Sequence, residues 1–111
     1  MINFKNMWIN IKVCKKQKRN IKEVIFSDIN LNEYIVIDVR SRREFRETHL
    51  NGSINIPLQD VKKDIPKYVK DKNKKLLICC QSGIRSARAV EILENMEYVE
   101  VYNLKGGLEN I

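Results

Sequence analysis

The sequence has no apolar run long enough to cross a membrane as a helix, no internal repeat and no low-complexity tract. Its start does not read as a secretory signal. The early apolar residues Ile2, Phe4, Met7, Trp8, Ile9, Ile11 and Val13 are interrupted by Lys and Asn, and the basic cluster follows them instead of preceding them. Cysteine is scarce, with Cys14, Cys79 and Cys80 and no C-x-x-C pair, so a disulfide framework is a poor reading. Adjacent Cys79 and Cys80 are badly placed to bridge each other, which favours a reducing, cytoplasmic setting. Acidic residues are missing from positions 1–20, where Lys5, Lys12, Lys15, Lys16, Lys18 and Arg19 supply most of the formal net charge of +7. Residues 21–111 are nearly neutral, so only the leader is basic, and no base-reading motif stands behind it. No nucleic-acid partner is therefore expected.

What is present is enough chain for one core. The 111 residues, 43% hydrophobic and 32% charged, suit a single domain over 21–111 behind a basic extension at 1–20. Phe4, Trp8 and Ile11 can share a helical face. A short helix packed on the domain edge, or a frayed tail, is preferred over a membrane-surface or partner-binding helix.

From residue 21, strand-like and helix-like patterns alternate. Ile21–Phe26, Tyr34–Val39, Ser53–Ile56, Leu76–Cys80 and Val99–Leu104 read as strands. Tyr34–Val39 and Leu76–Cys80 are nearly continuous apolar runs, as expected where a parallel sheet is buried on both faces. Ser41–Glu47 reads as a short helix capped by Ser41. Leu58–Val69 is amphipathic, with Pro66 expected to break or bend it. A helix from Ser86 to Met96 turns Ala89, Val90, Leu93 and Met96 inward. This alternation predicts an α/β fold, a parallel sheet covered on both faces. In such sheets function gathers beyond the carboxyl ends of the strands. That points to Asp38-Val39-Arg40 and to the residues from Cys80 onward.

Cys80-Gln81-Ser82-Gly83-Ile84-Arg85-Ser86 places a cysteine at a strand end, before a turn with one glycine and the start of a helix. Successive N–H groups in such a turn can aim into one concavity, and the helix dipole adds positive potential there. A thiol facing those donors ionises more easily, and the thiolate is the reactive form. Arg85 adds a full charge and a fork of donors suited to an oxyanion. This reading requires the Cys80 thiol to be reachable from solvent and the amides of the turn to aim at it. The bland reading is a small buried residue ending a strand, the usual use of a free cysteine. Cys79, one position earlier, points to the opposite face and takes the bland reading outright. Cys14 is assigned no role, though a resolving thiol would suit it.

CQSGIRS resembles the active-site loop of rhodanese-like domains, and further motifs agree in order. Asp38-Val39-Arg40, Glu44-Phe45 and His49-Leu50-Asn51-Gly52-Ser53-Ile54-Asn55-Ile56-Pro57 resemble that family's D-V-R, E-F and G-H-I-x-G-A-x-N-I-P stretches, with Thr48 where the family has glycine. Leu104-Lys105-Gly106-Gly107 resembles its closing L-x-G-G. The resemblance implies a three-layer α/β/α domain with a five-stranded parallel sheet. It also implies transfer of sulfane sulfur through a Cys80 persulfide, without metal or organic cofactor. The donor would be a small anion such as thiosulfate, and the acceptor cyanide, a thiol or a protein. By the same resemblance, amides of Gln81, Ser82, Gly83, Ile84 and Arg85 would hold the persulfide, and Ser86 would cap the following helix. Asp38 and Arg40 would brace the loop. Glu44 reads as a helix charge pairing with a nearby arginine and His49 as a hydrogen-bonded turn residue. The family often has glycine where the active-site helix ends. Here Met96-Glu97-Tyr98 stands, so that end must be capped otherwise. The chain also stops soon after Gly107, leaving a very short last helix and one flank of the sheet bare or covered by the N-terminal segment. Phosphatases and arsenate reductases that share the fold need one residue more between cysteine and arginine. A persulfide or redox sensor without turnover would keep the same loop, and a partner-binding module is a third possible use of the domain.

Overall fold

Five parallel strands form one sheet in the order β1-β5-β4-β2-β3. They are β1 (Glu23–Val24), β2 (Ile35–Asp38), β3 (Ile54–Asn55), β4 (Lys75–Cys79) and β5 (Glu100–Leu104). The structure, a computed structural model, describes residues 20–111. Apart from Asn20, the basic extension lies outside the described residues, and with it the readings of Phe4, Trp8, Ile11 and Cys14. The helices are α1 (Arg42–Glu47), α2 (Val61–Tyr68) and α3 (Ile84–Asn95). Single 3-10 turns occupy Phe26–Asp28, Leu31–Glu33, Leu58–Asp60 and Leu108–Asn110. The expected α/β class and five-stranded parallel sheet are what the chain forms.

β4 lies at the centre because its sequence is apolar on both faces. Leu76 and Ile78, with Cys80 just beyond, join one core cluster, and Leu77 and Cys79 join the other. The first cluster is covered by helices. Val61 and Ile65 of α2, and Ala89, Val90 and Leu93 of α3, are fully buried against it at helical spacing. Each of the larger aliphatic side chains contributes roughly 1.5–3 kcal/mol by leaving water. The second cluster is covered by Phe26, Ile29, Leu31, Leu50 and Leu108, which come from turns and loops.

The boundaries differ from the expected ones for identifiable reasons. β1 keeps two residues because Val24 is followed by a 3-10 turn, and Ile25 is left 49% exposed at the sheet edge. Leu58–Asp60 winds as a 3-10 turn before α2 begins at Val61. Pro66 does not break α2. It is exposed and near the end of the helix, and its missing N–H forgoes only the bond to the carbonyl of Lys62, itself an exposed residue.

α3 ends without glycine, as the sequence requires. Glu97 takes φ +75°, a left-handed conformation. The Glu97 N–H donates to the Glu94 carbonyl at 2.9 Å and the Tyr98 N–H to the Leu93 carbonyl at 3.1 Å. These two bonds make a complete Schellman cap. Lys72 Nζ adds a bond to the Met96 carbonyl and lies over the Tyr98 ring.

Candidate active site

β4 delivers Cys80 to the carboxyl edge of the sheet, and Gly83 turns the chain directly into α3 with φ +98°. α3 therefore begins at Ile84, two residues before the expected Ser86. Ser86 is not the cap; it lies inside the first turn, and Gly83 occupies the cap position. From there Ser86 Oγ reaches 3.3 Å from Cys80 Sγ. The backbone N–H groups of Gly83 and Ser86 donate to the same sulfur at 3.1 and 3.3 Å.

The amides face inward because the carbonyls are held elsewhere. The Cys80 carbonyl accepts from the Leu108 N–H at 2.9 Å, and the Gln81 carbonyl from the Glu109 N–H at 3.0 Å. In a trans peptide the C=O and N–H point opposite ways, so anchoring the oxygens on the 108–109 side turns the N–H groups of Gln81 and Ser82 towards the sulfur side. Asn103 Nδ2 donates to the Gly83 carbonyl at 3.2 Å and fixes a further peptide of the turn. Gly107 lets the two segments touch. A Cβ there would sit 2.3 Å from the Gln81 carbonyl oxygen and 2.6 Å from the Ser82 nitrogen.

Electrostatics follow from this geometry. Burial pushes the Cys80 thiol up, but the Ser86 hydroxyl and the amides of Ser86, Gly83 and Ser82 outweigh it, so the thiol falls below the ordinary 9.0. Cys79 behaves oppositely. Burial, then the Asp38 charge, push its thiol far up, which leaves it a neutral core residue on the other face. The requirement that the amides aim at Cys80 is met. The requirement of a solvent-reachable thiol is not: Cys80 is 0% exposed, because the turn closes on its sulfur. The rim residues Gln81 and Ser82 are exposed, and Ile84 is 77% exposed.

The N–H groups of Ile84 and Arg85 make no hydrogen bond to Cys80 Sγ in this arrangement. The Arg85 fork, expected to be available to an oxyanion, is occupied: Nη1 and Nη2 donate to the two oxygens of Glu44 at 2.8 and 3.0 Å. Arg85 is nonetheless close enough for the Cys80 charge to raise its pKa, after the larger effect of Glu44. Asp38 and Arg40 form a buried bidentate pair, and Arg40 Nη2 donates to the Thr48 carbonyl at 2.6 Å. They brace the chain where it leaves α1 at Thr48; the expected bonds to the 81–86 loop are not made. Glu44 completes the capping box of α1 with Ser41, and its arginine partner lies across the site, not on its own helix. His49 lies in the stretch between α1 and the 51–52 turn, hydrogen-bonded through Nδ1 to the Phe45 carbonyl and stacked on the Phe45 ring. Sequence reasoning misses Asn103 and Gly107 as site residues. Gly107 carries a signal in its glycine pair, whereas Asn103 reads simply as a strand residue.

In this parallel α/β domain two peptide N–H groups and one hydroxyl close on a single buried cysteine sulfur at the carboxyl edge of the sheet. The chain belongs to the rhodanese-like domain family, whose model matches residues 15–111. It is 44% identical over 75 residues to the thiosulfate sulfurtransferase PspE of Escherichia coli (strain K12), covering 68% of this chain and 71% of that one. It is 38% identical over 84 residues to a probable molybdopterin-synthase adenylyltransferase of Porphyra purpurea, covering 73% of this chain and 21% of that much longer protein. A solved rhodanese with anions from E. coli superposes with a TM-score of 0.66 at 41% identity, covering 70% of this chain and 91% of that one. Among the described residues, no helix is long and apolar enough to cross a membrane.

Proposed function

We propose that this protein is a sulfurtransferase that carries sulfane sulfur as a Cys80 persulfide. The observation that carries the reading is the convergence of the Gly83 and Ser86 amides and the Ser86 hydroxyl on one sulfur. The 44% identity to a thiosulfate sulfurtransferase supports thiosulfate as donor. Because the turn closes over the sulfur, the reaction requires its exposed Gln81–Ser82 rim to open; the Cys80 thiolate then attacks the outer sulfur of thiosulfate. The S–S bond of the donor breaks, sulfite leaves with its electron pair, and Cys80–S–S⁻ remains. An acceptor nucleophile such as cyanide, a thiol or a protein thiolate then takes the outer sulfur and regenerates the thiolate. This two-step exchange is covalent catalysis with ping-pong kinetics. The inward amides of the 81–86 loop stabilise the charge on the terminal sulfur, as preorganised donors do in oxyanion holes. The Cys80–Arg85 spacing suits one added sulfur better than a phosphate ester. Cys79 and Cys80, both unpaired, suit a reducing, cytoplasmic setting.

The test is intact-mass analysis after exposure to thiosulfate, followed by cyanide. Wild type should gain one sulfur atom and then lose it as thiocyanate, and Cys80→Ser should gain none. The complete burial of Cys80 favours a second reading, a module that holds a persulfide without turnover. Steady-state thiocyanate formation over many turnovers would exclude it; a single burst with no further release would favour it.

A further inference from the structure

The Glu44–Arg85 pair joins two elements and is held at both ends. Arg85 gives both terminal nitrogens of its fork to the two Glu44 oxygens. A bidentate arrangement of this kind fixes orientation as well as distance. Glu44 cannot swing to follow the arginine. Its Oε1 also accepts the Ser41 N–H at 3.0 Å and the Ser41 hydroxyl at 3.1 Å, the bonds that start α1. Both side chains remain partly exposed, at 33% for Glu44 and 39% for Arg85, and Arg85 lies close enough to Cys80 to feel its charge. A small anion approaching the loop therefore meets a cation already matched at contact distance by a carboxylate.

Resting on the reading of Cys80 as a sulfur-transfer nucleophile, we infer that Glu44 determines donor specificity: by holding Arg85, it weakens binding of small dianions relative to singly charged organic persulfides. Coulomb energy scales with the product of charges, so neutralising one cation penalises a dianion twice as much as a monoanion. The peptide amides are left as the principal attraction at the cradle. They recognise one charged sulfur at hydrogen-bonding distance and add less for a distant second charge.

Glu44→Gln separates charge from architecture. Glutamine at this position still supports a capping box, while the carboxylate charge is gone. In the full chain, sulfate is titrated while the Gly83 and Ser86 amide resonances are followed. Glu44→Gln should bind sulfate roughly three- to tenfold tighter, and the gain should shrink in high salt. The Glu44→Gln/Arg85→Gln double variant should return close to wild type, because the freed cation is removed. In turnover, KM for thiosulfate should fall by a similar factor with a much smaller change in kcat. KM for cysteine persulfide should change by about the square root of that factor. Unchanged sulfate and thiosulfate constants in Glu44→Gln, or a gain that survives Arg85→Gln, would overturn the inference. Sulfate binding does not require transfer. A sulfate response without any persulfide formation would therefore overturn the function proposed above, whereas normal transfer with unchanged constants overturns this inference alone.

Discussion

Replacing Glu97 with glycine should stabilise the domain, because the α3 terminus asks a side-chain-bearing residue to do a glycine's work. Glu97 sits at φ +75° with both Schellman hydrogen bonds in place, so the cap geometry is already built and only the Cβ opposes it. An L-residue in the left-handed region costs roughly 1–2 kcal/mol. Glycine gives back part of that gain through its freer unfolded chain, by roughly 0.5–1 kcal/mol. The acidic side chain also sits at the negative end of the helix dipole, and removing it is mildly favourable. The net expectation is about 0.5–1 kcal/mol of added stability. At roughly 4–8 °C per kcal/mol for a domain of this size, Tm should rise by about 2–8 °C. Circular dichroism melts and urea titrations with unchanged m-value measure it. Glu97→Ala keeps the Cβ and loses the charge, so it should recover only the dipole share. Glu97 and Gly83 lie beyond opposite ends of the helix, about 20 Å apart, and persulfide formation should not change. A lowered Tm in Glu97→Gly, or an equal gain in Glu97→Ala, would refute the conformational argument.

The site gives four more expected outcomes. Gly107→Ala should slow persulfide formation more than about tenfold and destabilise the domain, because its Cβ would overlap the Gln81 carbonyl and must displace backbone; thiosulfate uptake and urea unfolding measure the two effects. Ser86→Ala should move the alkylation-rate midpoint of Cys80 to higher pH, since the hydroxyl supplies the leading stabilising bond to the thiolate. The same depressed thiol makes wild type gain stability over Cys80→Ala as pH rises from the folded midpoint to 9.0, with no further gain above it. Asp38→Asn should cost roughly 3–5 kcal/mol by leaving the buried Arg40 charge unpaired, read as a fall in urea midpoint.

The sheet is legible in the sequence because β2 and β4 are apolar runs whose burial on both faces leaves little choice of structure. Edges and starts are harder. β1 is short because pairing with β5 stops where a 3-10 turn takes over, and no residue in Ile21–Phe26 marks that point. The start of α3 escapes the pattern because Gly83 reads as a loop residue until its positive φ makes it the cap. At the site, the cysteine and its glycine turn are legible from local order. The bond between Arg85 and Glu44 is not, since it joins residues 41 apart and is decided by packing. Nor is the closed state of the turn, which depends on carbonyls tied down by Leu108 and Glu109.

That tie governs how reactivity is distributed along the chain. Leu108 and Glu109 act on the surroundings of Cys80 through their backbone N–H groups, by taking up the oxygen ends of two peptide units and leaving the hydrogen ends for sulfur. Side-chain exchange at these two positions would leave both backbone bonds available. A change in the segment's path would free both carbonyls, and the two peptide units would lose the anchors that hold their N–H groups on the sulfur side.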